Sequence, residues 1–463
     1  MIQGPPREPF PHLRLREPTP TLIGLPWELP LEEWPGGRLT FRELPVGPSR
    51  HLVRFLLADG RTYALKEEPL EIARHEYEVL RGLEEQELPA VVAVGIAEAP
   101  TRGSAVLVTE YLLHSLQYRR LLMRFPAGPN PQRDRLLDAM ATLLVDLHRA
   151  GVYWGDCSLA NTLFRRDGDR VQAFLVDAET SETHPALSDG QRTYDLDVLV
   201  ENVGFGLADL AASQGRHDLM EDAVDAAESV RTRYGLLWDE LHATEELRPD
   251  NRHAVASRVR RLNELGFAVD EIVLEPGARP GRLRLRVAVT NRQFHAHELQ
   301  RRTGLAALEG QAKLLLNDLR EYAAWLEWNE GGTLGEREAA DRWIHEVLEP
   351  SLRAITPAIG PARDPLQAYC DVLETKWLLS EAAGKDVGLA AALHAYVASG
   401  APAPEDAPTI PNVDVSLDID RQGPLDRPSP EQTEPQAAVE PPATHPHTTP
   451  PTRRRRRPPE PAA

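Results

Sequence analysis

Residues 153–164 read YWGDCSLANTLF, and residues 174–180 read FLVDAET. A short polar run thus separates an apolar helical pattern from two apolar strand patterns. Asp156 and Asn161 are separated by four residues, and a third polar ligand, Asp177, closes the second strand pattern. Two readings fit: an ordinary surface turn, since both Asp and Asn favour turns, or the floor of a phosphate-transfer site.

The flanks carry strong local signals. Upstream, RDRLLDAMATLLVDLH at 133–148 places Leu136, Leu137, Met140, Leu143, Leu144 and Leu147 at a period near 3.6, which predicts an amphipathic helix. The helix is expected to stop at Ala150–Gly151, where glycine accepts the left-handed terminal conformation. Downstream, NTLF and VQAFLVD read as short strands around Asp167–Gly168, and YDLDVLVENVGFGLADLAA resumes a helix.

Further back, HLVRFLLA, the pair Asp59–Gly60 and RTYALKE form a hairpin signature. EIARHEYEVLRGL follows as a helix with Ile72, Tyr77, Val79, Leu80 and Leu83 on one face, and then VVAVGIA and SAVLVTEYL as strands. The opening segment to residue 45 is proline-rich and is expected to pack as an extended strap through LPWELPLEEW. From about residue 215 to 400 the pattern is mostly helical, interrupted by a hairpin from DEIVLE to GRLRLRVAV. Residues 401–463 hold sixteen of the forty-one prolines and no long apolar run, a composition that predicts disorder. The Arg run at 453–457 reads as a solvated charge run in a tail, or as a contact for acidic lipids, RNA or the acidic body of the chain.

Composition limits the function classes. A chain of 463 residues has room for two or three domains. A formal charge of −19 excludes a general nucleic-acid binder, which needs a basic face. Two distant cysteines, Cys157 and Cys370, form neither a disulfide framework nor a metal cluster, and they suit a reducing cytoplasm. The proline-broken N-terminus lacks the apolar core of a signal peptide, and no apolar run of about eighteen residues predicts a membrane span. Only four residues are lysines (Lys66, Lys313, Lys376 and Lys385) against forty-eight arginines, which draws attention to any lysine that persists.

Phosphoryl transfer needs a cation on the phosphates, hard oxygens for magnesium, and a carboxylate to orient the attacking hydroxyl. Asp156 can be that carboxylate, while Asn161 and Asp177 can supply metal oxygens. LHRAGVYWGDCSLANTLF resembles the catalytic loop of the protein-kinase-like superfamily, LVDAET its metal-binding segment, and YALKE its third-strand lysine. The resemblance covers roughly residues 45–215 and is nearest to the lipopolysaccharide-kinase-like and aminoglycoside-phosphotransferase-like branch. The strap and the C-terminal part resemble a family of high-GC Gram-positive bacteria in which a kinase-like region precedes a domain of unknown function.

This resemblance implies an α+β, two-lobed kinase-like fold: a strap at 1–45, a β-rich N-lobe at 46–112, a helical C-lobe at 113–215, a mostly helical domain at 216–400 and the tail at 401–463. It implies that Lys66 holds the α and β phosphates of ATP and that Glu76 fixes Lys66. Asp156 would act on the substrate hydroxyl, and Asn161 and Asp177 would bind Mg2+. The segment Glu110 to Leu112 would touch adenine, and Gly47 would lie over the phosphates. Asp195 or Asp197 would brace the catalytic loop. The expected function is an ATP- and magnesium-dependent phosphotransferase acting on a hydroxyl of a small molecule, lipid or glycan. The alternative is a catalytically weak pseudokinase that senses nucleotide, or serves as a scaffold, through its C-terminal domain, with a protein partner there.

Departures from the family pattern shape that expectation. Gly47 alone stands where a glycine-rich loop belongs. Asp177 is followed by Ala178 and Glu179 rather than Phe and Gly; Glu179 either adds a metal oxygen or caps the turn. The short segment from Asp177 to Asp195 has no peptide-seating element, which favours a small acceptor over a protein. Trp154 stands where related loops often carry histidine and is expected to pack the loop.

Several residues carry plainer readings. Cys157 lacks a His–Asp partner pattern and reads as small buried filler. His148 reads as a helix-end residue favoured by the dipole. His295 and His297 are too closely spaced, without a further ligand, to mark a metal site. Lys376 and Trp377 read as a partner surface or, more simply, as buried helix packing.

Overall fold

The computed structural model describes residues 12–37, 39–44, 50–123, 125–248, 252–279, 282–330, 335–360 and 363–401. Gly47, the start of the strap and the proline-rich segment with its Arg run lie outside the described residues.

The N-terminal half is built on a six-stranded antiparallel sheet. Its strands are β1 (His12–Leu15), β2 (Thr40–Arg42), β3 (Leu52–Ala58), β4 (Arg61–Pro69), β5 (Ala93–Ala99) and β6 (Ser104–Glu110), in the order β1-β5-β6-β4-β3-β2. Asp59 and Gly60 join β3 to β4 with φ of 50° and 80°, the two left-handed positions that a two-residue hairpin loop requires. Alternation along β4 then sends Tyr63 and Leu65 to one face of the sheet and Lys66 and Glu68 towards the other half of the molecule.

The strap covers the first of those faces. From the short helix α1 (Pro20–Ile23) onwards, Leu22, Trp27, Leu31 and Trp34 are buried against Leu56, Leu65 and Val108. The indole N–H groups are satisfied on the spot, Trp27 donating to the Leu22 carbonyl at 2.9 Å and Trp34 to that of Leu29 at 3.1 Å. The strap is therefore less extended than its prolines suggest: it adds β1 to the sheet edge and a small aromatic core beneath it. Helix α2 (Leu70–Glu85) covers the opposite face through Ala73, Tyr77, Leu80 and Leu83. Ala73 takes the fully buried place expected of Ile72, which is only half-buried.

The next segment is mainly helical. It comprises β7 (Ser115–Leu116), α3 (Tyr118–Leu122), α4 (Pro131–Arg149), β8 (Val152–Tyr153), β9 (Thr162–Asp167), β10 (Arg170–Leu175), β11 (Glu182–Thr183), α5 (Asp189–Ser213) and α6 (Met220–His242). Helix α4 starts at Asn130, whose side chain accepts from Arg133 N at 2.9 Å, with Pro131 as its first residue. All six apolar positions of its predicted face are buried. Helix α5 begins with a capping box between Ser188 and Gln191.

Past α6 come β12 (Glu245–Leu247), α7 (Arg252–Glu264), β13 (Val269–Pro276) and β14 (Leu283–Val289), the strands ordered β12-β14-β13. The hairpin was expected and the third strand, β12, was not: three residues give no periodicity to read. Helices α8 (Phe294–Thr303), α9 (Glu309–Glu330), α10 (Glu336–Trp343), α11 (Glu349–Ile359), α12 (Pro365–Ala383) and α13 (Leu389–Ala398) complete the described chain. They share a second core around Leu315, Tyr322, Trp343, Ile355 and Tyr369. Within it, Asp318 accepts from Trp343 Nε1 and the Tyr369 hydroxyl, each at 2.7 Å. The fold is thus mixed α+β, with a sheet-based N-terminal region and helical regions after it. Among the described residues, no helix is long and apolar enough to cross a membrane.

Gly151 ends α4 with φ of 78°, and a Cβ there would run into the His184 carbonyl oxygen. The two strands β8 and β11 meet at this point, His184 N donating to Gly151 O at 2.8 Å. Gly151→Ala is expected to cost about 2 kcal/mol or more, combining left-handed strain with the clash. A urea-denaturation midpoint that stays unchanged would contradict this.

Candidate functional site

Four segments converge on one cleft between the sheet and the helices. Lys66 comes from β4, Glu76 from α2, Asp156 and Asn161 from the loop between β8 and β9, and Asp177 from the end of β10. Lys66 Nζ donates to Glu76 Oε2 at 2.8 Å and to Asp177 Oδ1 at 3.2 Å. The other oxygen of Glu76 accepts from Ala178 N at 3.2 Å, so this one carboxylate holds both the lysine and the backbone beyond Asp177. Asn161 Nδ2 donates to Asp156 Oδ2 at 3.0 Å and to the Asp156 carbonyl at 3.2 Å. The Asn161 amide oxygen, a hard donor, takes no part in these two bonds, and Asn161 and Asp177 border the same cavity. Asn161 O in turn accepts from Val176 N at 3.1 Å, which ties the loop to the strand end.

The electrostatics centre on Lys66. Burial works against its charge, but Glu76, Asp177 and Glu68 together outweigh that and hold the ammonium well above its ordinary value. Glu76 is raised as well: burial raises its pKa, Lys66 opposes the shift, and Glu68 and Asp177 add to it. Glu68 is also raised, again chiefly by burial, with its carboxylate 2.9 Å from Lys66 Nζ. The Glu179 carboxylate faces the cleft, 3.2 Å from His51 Nε2 and 3.7 Å from Lys66 Nζ.

These groups line a cavity of about 480 Å³. Lys66, Glu76, Asp156, Asn161 and Asp177 all border it, as do Glu110 and Leu112. Ala64, Leu107 and Leu163 add apolar lining to the same cavity, suited to a flat ring. Sequence reasoning missed His51, Glu68 and Arg120, which also border or face the cleft. Glu68 was legible by strand alternation, two residues beyond Lys66; His51 and Arg120 had no local signal.

Asp195 holds the loop from α5. It is fully buried, and its carboxylate accepts from Trp154 N at 2.7 Å and Gly155 N at 2.8 Å, with His148 Nε2 at 3.1 Å. Asp197 instead sits at the surface, 3.0 Å from Arg231. His148 is therefore not a helix-end cation. Burial holds its pKa down, and its ring bridges Asp195 and the Tyr234 hydroxyl, 2.9 Å from Nδ1. Trp154 is buried beneath the loop, and Cys157 is buried with its thiol pushed well above its ordinary value by burial and then by Asp195.

In the C-terminal helices, His295 meets Glu309 at 2.6 Å while His297 is exposed near Glu87, so the two rings serve different partners. Lys376 pairs with Glu321 at 3.4 Å, and Trp377 is 61% exposed, which rules out buried helix packing for the indole.

A lysine–glutamate pair on a sheet-based lobe, facing an Asp–Asn loop and an Asp-led strand end, defines a protein-kinase-like region. Residues 61–215 match the Lipopolysaccharide kinase (Kdo/WaaP) family, and residues 236–400 match a domain of unknown function, DUF4032. The chain is 29% identical over 136 residues to the lipopolysaccharide core heptose(I) kinase WaaP of Pseudomonas aeruginosa, across 27% of its own length and 51% of the relative's. It thus spans about half the length of that curated relative. A solved structure of WaaP in complex with acyl carrier protein aligns over 49% of this chain and 99% of the WaaP chain, with 22% identity and a TM-score of 0.32.

Asp195→Ala leaves two buried backbone donors and an imidazole without their acceptor, and is expected to cost about 3 kcal/mol. Asp197→Ala should change stability by no more than about 0.5 kcal/mol. Equal losses in thermal or denaturant unfolding would contradict the assignment of the brace to Asp195.

Proposed function

We propose that the chain is an ATP- and magnesium-dependent phosphotransferase that acts on a hydroxyl of a small molecule, lipid or glycan. The observation that carries this reading is the convergence of Lys66, Glu76, Asp156, Asn161 and Asp177 on one cavity. Phosphoryl transfer asks a protein for positioned charge more than for covalent chemistry, and these are the charges it asks for.

Each residue has a role in this reading. Lys66, fixed by Glu76, binds the α and β phosphates. Glu110 to Leu112 holds adenine through its backbone. Asn161 and Asp177 offer an amide and a carboxylate oxygen, a donor set that fits Mg2+; the bound ion would neutralise charge on the phosphates. Asp156 orients the acceptor hydroxyl and takes its proton. Its hydrogen bond from Asn161 Nδ2 fixes one carboxylate oxygen and supports that role. The sequence boundaries then act as functional units: a strap at 1–45, two lobes at 46–112 and 113–215, and a C-terminal domain at 216–400 that engages a protein partner. The Pseudomonas relative is a heptose kinase, which supports a sugar hydroxyl as the acceptor class. The short segment between Asp177 and Asp195 supports a small acceptor over a folded protein.

A second reading, a nucleotide sensor with little or no turnover, is favoured by the crowding of Lys66. Four carboxylates lie within 3.7 Å of its ammonium, and ATP would have to displace some of them.

Thermal unfolding with ATP, with and without magnesium, followed by phosphate transfer to a panel of sugars and polyols, separates the readings. Active protein should show a magnesium-dependent shift and turnover. Asp156→Ala should lower turnover by about 10²–10⁴-fold while keeping the nucleotide shift. Lys66→Met should weaken both. Magnesium-dependent binding with no phosphate release would select the sensor, and phosphorylation of proteins alone would refute the small-acceptor assignment. If Asp156→Ala abolished binding and turnover together, Asp156 would be a folding residue.

A further inference from the structure

The three-stranded sheet of the C-terminal domain ends in β13, whose one strand neighbour among the described residues is β14. Past a bulge after Val269 the register is regular. Glu271, Val273 and Glu275 stand opposite Ala288, Arg286 and Arg284, while Ile272 and Leu274 stand opposite Val287 and Leu285. Directly opposed residues share a face, so each set marks one side of the sheet.

One side is packed. Leu285 and Val287 are buried in the first core with Leu262 and Phe267, yet Ile272 and Leu274, on the same side, are 42% and 48% exposed. The apolar layer thus extends one strand further than the core that covers it. The other side carries charge that alternates from strand to strand: Glu246 on β12 stands opposite Arg284 on β14, which stands opposite Glu275 on β13, and all three are exposed. A further strand at this edge continues both patterns when it is apolar beside Ile272 and Leu274 and basic beside Glu271 and Glu275. A second copy of β13 fits less well. The register that sets Ile272 on Leu274 also sets Glu271 on Glu275, like charges directly opposite, and every register adds acid to an acidic edge. Charges on an open edge are a known guard against such self-pairing.

We propose that the β13 edge binds an extended segment of a partner protein, in which apolar and basic side chains alternate, as an added strand. Main-chain hydrogen bonds along the open edge would hold the segment, and the alternation of its side chains would select it. The pattern is that of β14 itself, which reads LRLRVAV and pairs with the inner edge of the same strand. The inference rests on the reading of the C-terminal domain as partner-binding, to which it gives a place and a chemistry, and it does not depend on phosphate transfer.

The test uses the full chain and three fluorescent peptides of equal length, read by anisotropy: one alternating leucine and arginine, one alternating leucine and glutamate, and one with the leucines and arginines in separate blocks. The alternating basic peptide should bind saturably, the block peptide of the same charge more weakly, and the acidic peptide not at all. Glu271 faces Ala288 and has no cross-strand charge to lose. Glu271→Lys should therefore weaken the basic peptide by about fivefold, the order of one cross-strand charge pair reversed in sign, and should strengthen the acidic one, a gain that misfolding cannot produce. Ile272→Thr keeps a β-branched residue, removes apolar surface and should also weaken the basic peptide. No saturable binding, or equal binding of the block peptide, would overturn the proposal. Binding that neither variant alters would place the peptide elsewhere, which overturns the edge and leaves the partner reading of the domain standing. A dimer of the chain that Ile272→Thr abolishes would overturn it in favour of a second copy.

Discussion

The Glu76 carboxylate is the contact on which the rest of the site depends. One oxygen takes the Lys66 ammonium at 2.8 Å and the other takes Ala178 N at 3.2 Å. A single buried side chain thereby joins β4, α2 and the segment after β10. Such a group is costly to bury: its own pKa rises, and three more acids crowd the same lysine. Breaking one partner of a buried pair leaves an uncompensated charge, so the arrangement holds only while all three elements stay in place. The position of α2 therefore sets whether Glu76 meets Lys66.

A second carboxylate does the same for the loop. Asp195 takes two backbone N–H groups in succession, at Trp154 and Gly155, and so fixes where the chain turns towards Asp156. The helix that carries Asp195 begins with the Ser188 capping box, and its buried face packs into the first core. Packing of an ordinary amphipathic helix is thus converted into the position of a polar loop. Trp154 and Cys157 serve that end as buried bulk beneath the loop.

Sequence reading reached what local chemistry dictates. The Asp59–Gly60 turn, the six-residue apolar face of α4 and the glycine stop at Gly151 each have a short-range cause, and each is found in the structure. The Kdo/WaaP match covers the same stretch that the catalytic-loop resemblance pointed to. What was not legible depends on long-range partners. His148 reads as a helix-end histidine until α6 brings Tyr234 and α5 brings Asp195 to its ring. Trp377 reads as a partner surface or as buried helix packing, and only the fold shows that its indole faces solvent. Choosing Asp195 over Asp197 required knowing which face of α5 is buried, and two residues apart on a helix means roughly opposite faces.

The C-terminal domain grips both supports of the site rather than standing apart from them. Gln311 N donates to Asp167 Oδ1 at 2.8 Å, and Gln367 exchanges two hydrogen bonds with the backbone of Gly168 at 2.8 and 2.9 Å. Those residues form the turn of the β9–β10 hairpin, whose far end delivers Asp177. Asn291 and Gln293 hold the loop that ends α2, whose middle delivers Glu76. Each such buried hydrogen bond is worth only about 1 kcal/mol net, but several acting on one turn leave it little freedom. Lys66 reaches Glu76 and Asp177 at once only if hairpin and helix are held at the right separation. The domain after the kinase-like region touches both, so it braces the hairpin and the helix that the lysine joins.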